Sequence, residues 1–216
     1  MKARSAYRPA PEHVAAACLV ALVGLPGCLS WVMRAESIAL QHTQHQAVFT
    51  PGAQNVAVSV QVNDKRDYLA PGISRKWGRA QVGYGRNSFG EQVAPDIIVV
   101  EPVETTVRKS IEEELAARGI RIAPTAPLQV VVDINVFFSD FKVGFMHPES
   151  TAVFAMDVKV LSSDGTTAYA RHIAAQGRLP GTGTQFARVA LDKALDDGID
   201  TLFGDWKFAS ALLLGQ

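Results

Sequence analysis

The sequence predicts an α+β fold: a mainly antiparallel sheet of four to five strands with two helices packed on one face. Three patterns lead there. Val56, Val58, Val60 and Val62 alternate with Ala57, Ser59 and Gln61, the period of a half-buried strand. Alternating runs over 128–138 and 152–160 are followed by Ser163-Asp164-Gly165-Thr166, a hairpin turn sequence, and by a third run over 167–176. Apolar residues at helical spacing mark 103–118 and 184–206.

In chain order, Lys2, Arg4 and Arg8 precede an apolar run over 14–25 that closes in Leu25-Pro26-Gly27-Cys28. The run is shorter than the roughly 20 residues needed to span a bilayer. It is also apolar all round, unlike an amphipathic core helix. The closing tetrapeptide resembles the lipobox of bacterial lipoproteins. That resemblance implies a signal peptide over 1–27 and a diacylglyceryl group on Cys28, usually with a third chain on its amine. At ~0.8 kcal/mol per buried CH₂, two or more chains hold a protein stably on a membrane. Leu29 stands where inner-membrane lipoproteins of Gram-negative bacteria often carry Asp, so the resemblance implies the outer membrane, periplasmic face. Plain secretion and an uncleaved signal anchor are the alternatives.

The 216 residues carry 21 Lys plus Arg and 21 Asp plus Glu. Removal of 1–27 takes away Lys2, Arg4 and Arg8 against Glu12, leaving a slightly acidic chain with no general attraction to nucleic acid. Cys18 goes with the leader. Cys28 then remains as the single thiol, which excludes an intramolecular disulfide and a cysteine zinc cluster. The expected organisation is a signal peptide at 1–27, a tether at 28–52 and one domain at 53–216 that includes a long basic loop at 64–95.

Within that domain, the strand at 56–62 ends in Asp64-Lys65-Arg66-Asp67, and a short apolar strand follows at 97–100. Glu101-Pro102 opens a helix whose Val103, Val107, Ile111 and Leu115 form one ridge, with Glu104/Arg108 and Glu114/Arg118 pairs on the wet side. Leu128, Val130, Val132, Ile134, Val136 and Phe138 share one strand face. The apolar phase then moves to Phe141, Val143 and Phe145, which predicts a bulge near Ser139-Asp140. A two-residue Asp164-Gly165 loop sets Met156 opposite Ile173, Asp157 opposite His172 and Val160 opposite Tyr169. In the last helix Leu191, Leu195, Ile199, Leu202 and Trp206 face inward, and Asp192, Asp196 and Asp200 mark the solvent side.

The segment Val56-Ala57-Val58-Ser59-Val60-Gln61-Val62-Asn63-Asp64-Lys65-Arg66-Asp67, the helix VRKSIEEELAARGI, the 128–136 strand and the helix from Phe186 resemble the YajG family of bacterial outer-membrane lipoproteins. The resemblance implies no catalytic residue and transfers one site, Cys28.

Candidate sites follow from residue chemistry. The 64–95 loop gathers Arg66, Arg75, Lys76, Trp77, Arg79, Tyr84 and Arg86; Arg and Trp combine flat surface with donors suited to a binding hot spot. An envelope protein or an anionic envelope component is the expected partner, beside the membrane reached through lipid on Cys28. A solvated excursion is the competing reading, as is an Asp64–Arg66 pair that merely secures the strand exit. His42 and His45 lack the further ligands of a metal centre. Asp157 opposite His172 lacks a nucleophile on a strained turn, and Gly83, Gly85 and Gly90 lack a phosphate-loop spacing. The sheet face away from the helices, including Val131, Phe137, Val153, Ala155, Ala168, Ala170 and Ala174, reads as unusually apolar. The expectation is a non-enzymatic accessory or assembly factor without cofactor or metal. The alternative is an auxiliary carrier of lipid or cell-wall fragments.

Overall fold

The computed structural model describes residues 35–44, 51–67, 77–87, 89–143 and 148–214. Cys28, His45, Arg75 and Lys76 lie outside them. The described residues belong to one compact unit.

The described residues form three helices and one mixed eight-stranded sheet. In chain order these are β1 (Glu36–Ile38), β2 (Ala57–Asp64), β3 (Gln81–Asn87), β4 (Ile97–Val99), α1 (Val103–Ala117), β5 (Arg121–Ile122), β6 (Leu128–Val143), β7 (Glu149–Leu161), β8 (Thr167–Pro180), α2 (Thr184–Phe203) and α3 (Trp206–Leu214). The expected antiparallel meander is present as β6–β7–β8, with Met156 opposite Ile173, Asp157 opposite His172 and Val160 opposite Tyr169. The turn is longer than the expected two-residue Asp164-Gly165 loop: the Ser162 amide donates to the Thr166 carbonyl across Ser163-Asp164-Gly165, Gly165 alone takes a positive φ of 81°, and the register shifts between Val160 and Leu161.

The four-to-five-stranded antiparallel sheet is corrected to a larger, mixed one. β2 runs parallel to β6, pairing Val58 with Leu128 through Asp64 with Ile134. β3 runs parallel to the other half of β6, from Gly83 opposite Ser139 to Asn87 opposite Val143. Parallel neighbours need a long crossover, and the segment carrying α1 provides it between β2 and β6.

Two stretches read as connections are therefore part of the sheet. The 28–52 tether contributes β1, which pairs with β4. The 64–95 loop contributes β3, whose two glycines conceal a strand in the sequence. A Cβ on Gly85 would meet the Phe141 ring at 2.3 Å, so the bare backbone is what admits that ring.

The bulge lies at Asn135, between Ile134 and Val136, rather than at Ser139-Asp140. The phase shift consequently comes earlier. Phe137, expected on the outer face, is in the core edge-on to Phe154 at 5.4 Å. Phe138 is turned outward against Tyr84 at 5.2 Å.

The α1 ridge of Val103, Val107, Ile111 and Leu115 is fully buried, as its spacing predicts, and α1 packs on β2. α2 buries Leu191, Leu195, Ile199 and Leu202 against β6, β7 and β8. The last helix does not continue to Trp206. It breaks at Gly204-Asp205, and α3 restarts with Trp206 exposed and Phe208 buried in its place.

α2 approaches β8 most closely at Gly177, where a Cβ would stand 1.9 Å from the Ala190 carbonyl oxygen. Both elements would have to move to admit a methyl group. Gly177→Ala is expected to cost about 3 kcal/mol in urea unfolding, whereas Ala170→Ser on the exposed side of the same strand should change stability by less than about 0.5 kcal/mol.

Candidate functional site

The Asp64–Arg66 pair sits where β6 exchanges one parallel neighbour for the other. β2 accompanies β6 as far as Ile134, and β3 joins it at Ser139. In the gap, the Lys65 amide donates to the Ile134 carbonyl at 2.9 Å, and the Arg66 Nη1 donates to the Phe137 carbonyl at 3.2 Å. The rest of the guanidinium is equally committed. Nε and Nη2 hold the two Asp64 carboxylate oxygens at 2.9 and 2.8 Å, Nη1 also reaches the Gln81 carbonyl at 3.2 Å, and Nη2 the Arg79 carbonyl at 2.5 Å. All five N–H donors of the fork are used. Arg66 is 8% exposed, so it joins β2, β3 and β6 from within.

The other residues of the basic set are dispersed. Tyr84 is buried on β3, and Arg86 pairs with Asp140 while its guanidinium lies 5.6 Å from the Tyr84 ring centre. Trp77 and Arg79 flank the turn into β3 and are half-buried and exposed. Of the described cations in this set, Arg66 is spent on backbone carbonyls and Asp64, and Arg86 on Asp140.

Sequence reasoning missed a second polar centre. His42 lies against α1 and α2 with its side chain 3% exposed, Nδ1 at 2.7 Å from Asp196 Oδ1 and Nε2 at 3.3 Å from Glu114 Oε1. The Thr43 amide donates to Asp196 at 3.0 Å and the Gln41 amide to Asp192 at 2.9 Å. Glu114 is 1% exposed and also pairs with Arg118. Glu114, Asp192 and Asp196, read as solvent-facing, therefore receive the 41–43 segment instead. Although burial opposes its charge, hydrogen bonds and attraction from Asp196 and Glu114 raise the His42 pKa above its ordinary value. Burial raises that of Asp192. The periodic acids on α2 were the available signal, but periodicity cannot distinguish water from a covering strap. No group of three or more His, Cys, Asp or Glu placed to hold a metal occurs among the described residues.

The third feature is a surface. Between α3 and β8 lies an open groove of about 870 Å³ lined by Tyr169, Arg171, Trp206, Lys207 and Leu214. Asp205 anchors its floor, accepting from Tyr169 Oη at 3.0 Å, Arg171 Nη1 at 2.6 Å and the Lys207 amide at 3.0 Å. Burial, with Asp205 beside it, pushes the Tyr169 phenol up to about 12. Burial acts against the Asp205 charge, yet these donors hold its carboxyl below the usual range. Trp206 is 71% and Leu214 83% exposed at the rim. On the outer sheet face, His172 Nδ1 lies 2.7 Å from Asp157 Oδ1, and Asn135 also donates to Asp157. Both members of the His172–Asp157 pair are well exposed.

The profile of a family described as "Uncharacterized lipoprotein" matches residues 43–212. No curated protein matches the chain. Among solved structures, protein XCC0632 from Xanthomonas campestris is similar at 20% identity and a TM-score of 0.57, covering 84% of this chain and 97% of that one. A minor lipoprotein from Acinetobacter baumannii is similar at 9% identity and a TM-score of 0.36, over 68% of this chain and 92% of that one. The first of these likenesses supports the fold.

Removing Arg66 strands the buried Asp64 charge. Arg66→Ala should cost about 3–5 kcal/mol in urea unfolding, with Arg66→Lys recovering under half because an ammonium cannot reproduce the fork. Arg86→Ala should cost less than about 1 kcal/mol. The raised His42 pKa contributes stability that is full below the unfolded value of 6.5 and is lost as pH rises through the higher folded value. Wild-type stability should therefore fall as pH rises above 6.5. In His42→Gln this component should be absent, with a loss of about 1–2 kcal/mol at the acidic end, read by unfolding across the pH range.

Proposed function

Because the chain belongs to the family of uncharacterised lipoproteins, we propose that it is a lipid-anchored, non-enzymatic accessory or assembly factor of the Gram-negative envelope. Cys28 carries the lipid, and the domain faces the periplasm from the outer membrane. The observation that carries this reading is the match over 43–212 downstream of Leu25-Pro26-Gly27-Cys28. No helix among the described residues is long and apolar enough to cross a membrane. The described fold starts at residue 35, so the intervening residues reach at most about 25 Å. A domain so tethered works close to its bilayer.

A binding role is favoured by how the polar groups are spent. Arg66 uses its donors on backbone and Asp64, and His42 joins a strap to two helices. What faces outward is a groove rimmed by exposed Trp206 and Leu214.

In a Gram-negative host, the wild-type full chain should partition into detergent and show, by mass spectrometry, acyl groups on Cys28. Cys28→Ser should lose both the acyl mass and the partitioning. An unmodified Cys28 in membrane-bound wild-type protein would overturn the proposal.

A further inference from the structure

The described sheet ends in three strands, β1, β5 and β8. β1 has three residues and β5 two, lengths that offer a partner almost no backbone. β8 has 14 and, among the described residues, pairs with β7 alone. Its register is unbroken from Pro180 opposite Glu149 to Tyr169 opposite Val160; the one shift comes at the hairpin end, between Val160 and Leu161, and leaves the edge regular from Tyr169 onward. It contains no lysine, and its one proline is the last residue. Folded proteins blunt such edges with shortness, charge, proline or bulges; between Tyr169 and Leu179, β8 relies on charge alone, and a long regular edge of that kind is a template for a strand of complementary charge.

The side chains along β8 suit an added strand. Tyr169, Ile173, Ala175 and Gly177 point into the core beneath α2. The exposed positions Ala168, Ala170 and Ala174 are small and leave approach unobstructed. Beside Tyr169 and Arg171, α3 provides the groove with Trp206 on its rim.

Charge selects the occupant. β8 carries Arg171, His172 and Arg178 and no acid. α3 adds Lys207, also without an acid. Asp205, which lies between them, is committed to Tyr169, Arg171 and the Lys207 amide. Arg178 meets only the neutral Gln176. Arg171 and His172 already face Asp205 and Asp157, and a second copy aligned on this edge would add a strand with no carboxylate to meet Arg178, only another Arg178.

We propose that β8 is a docking edge, to which an extended acidic segment of another envelope protein adds as a further strand, seating apolar side chains in the groove beside Trp206. This rests on the accessory-factor reading and names the surface through which that role is exercised. Main-chain hydrogen bonds supply affinity, while Arg178, Lys207 and the groove supply selectivity.

The test uses full-length protein in detergent and two end-capped dodecapeptides, one alternating glutamate with valine and the other lysine with valine. The acidic peptide should slow amide hydrogen exchange in 167–180 by about tenfold and shift a fluorescence component that Trp206→Phe removes. The basic peptide should do neither. In the Arg178→Glu/Lys207→Glu double variant, the preference should reverse; both sites are exposed, so folding is expected to survive. Protection by neither peptide, equal protection by both, or protection on concentrating the protein alone would each overturn the docking edge. The last outcome identifies a second copy as the occupant. Membrane fractionation of the same samples reports the Cys28 anchor separately, so failure at β8 and failure of the lipoprotein reading are distinguishable.

Discussion

β6 is longer than either strand that accompanies it on its parallel side, and the need to satisfy its backbone organises the domain. Sixteen residues present carbonyls and amides to both edges. β7 covers one edge along its length; β2 and β3 divide the other and leave an interval between Ile134 and Ser139. Arg66 enters that interval, takes the Phe137 carbonyl, and is neutralised by Asp64 on the strand it has just left. The guanidinium is suited to this position because it holds a carboxylate bidentately and still has donors left for three backbone oxygens. Without it, buried carbonyls at the junction of three strands would lack partners.

The same economy explains why several charged groups that stand out in the sequence are spent inside the domain. Arg66, Arg86 and Glu114 have ion-pair partners inside the domain, and His42 bridges two helices. Internal commitment turns these groups into joints between elements. Beyond these joints, the described residues leave an open strand edge at β8 and a groove between it and α3.

Much of the fold was legible in the residues. The α1 ridge, the β6–β7–β8 meander and the hairpin register all follow from local periodicity and one Asp-Gly turn. β3 was hidden because Gly83 and Gly85 suppress strand propensity, and they are present so that β3 can lie against β6 and the Phe141 ring. The bulge was misplaced because Val136 continues the inward phase of Ile134, although Asn135 is the residue extruded, with its amide on Asp157. Trp206 fitted the spacing of α2, but Gly204-Asp205 breaks the helix and gives its buried position to Phe208. The binding set was read from residue type. The structure spreads its described members among a buried junction, the entrance to β3 and the outer sheet face, with Arg75, Lys76 and Cys28 outside the described residues.

The amino-acid sequence by itself determined the lipobox resemblance, the helix faces and the alternating strands, because each depends on neighbours within a few residues. Tertiary structure alone decided that β2 and β3 run parallel to β6, that 36–44 belongs to the domain, and that β8 is left at an edge. Those outcomes depend on which distant segments meet. Pairing energy resides in backbone groups that every residue carries, so side-chain pattern records that a strand forms but not the neighbour it finds.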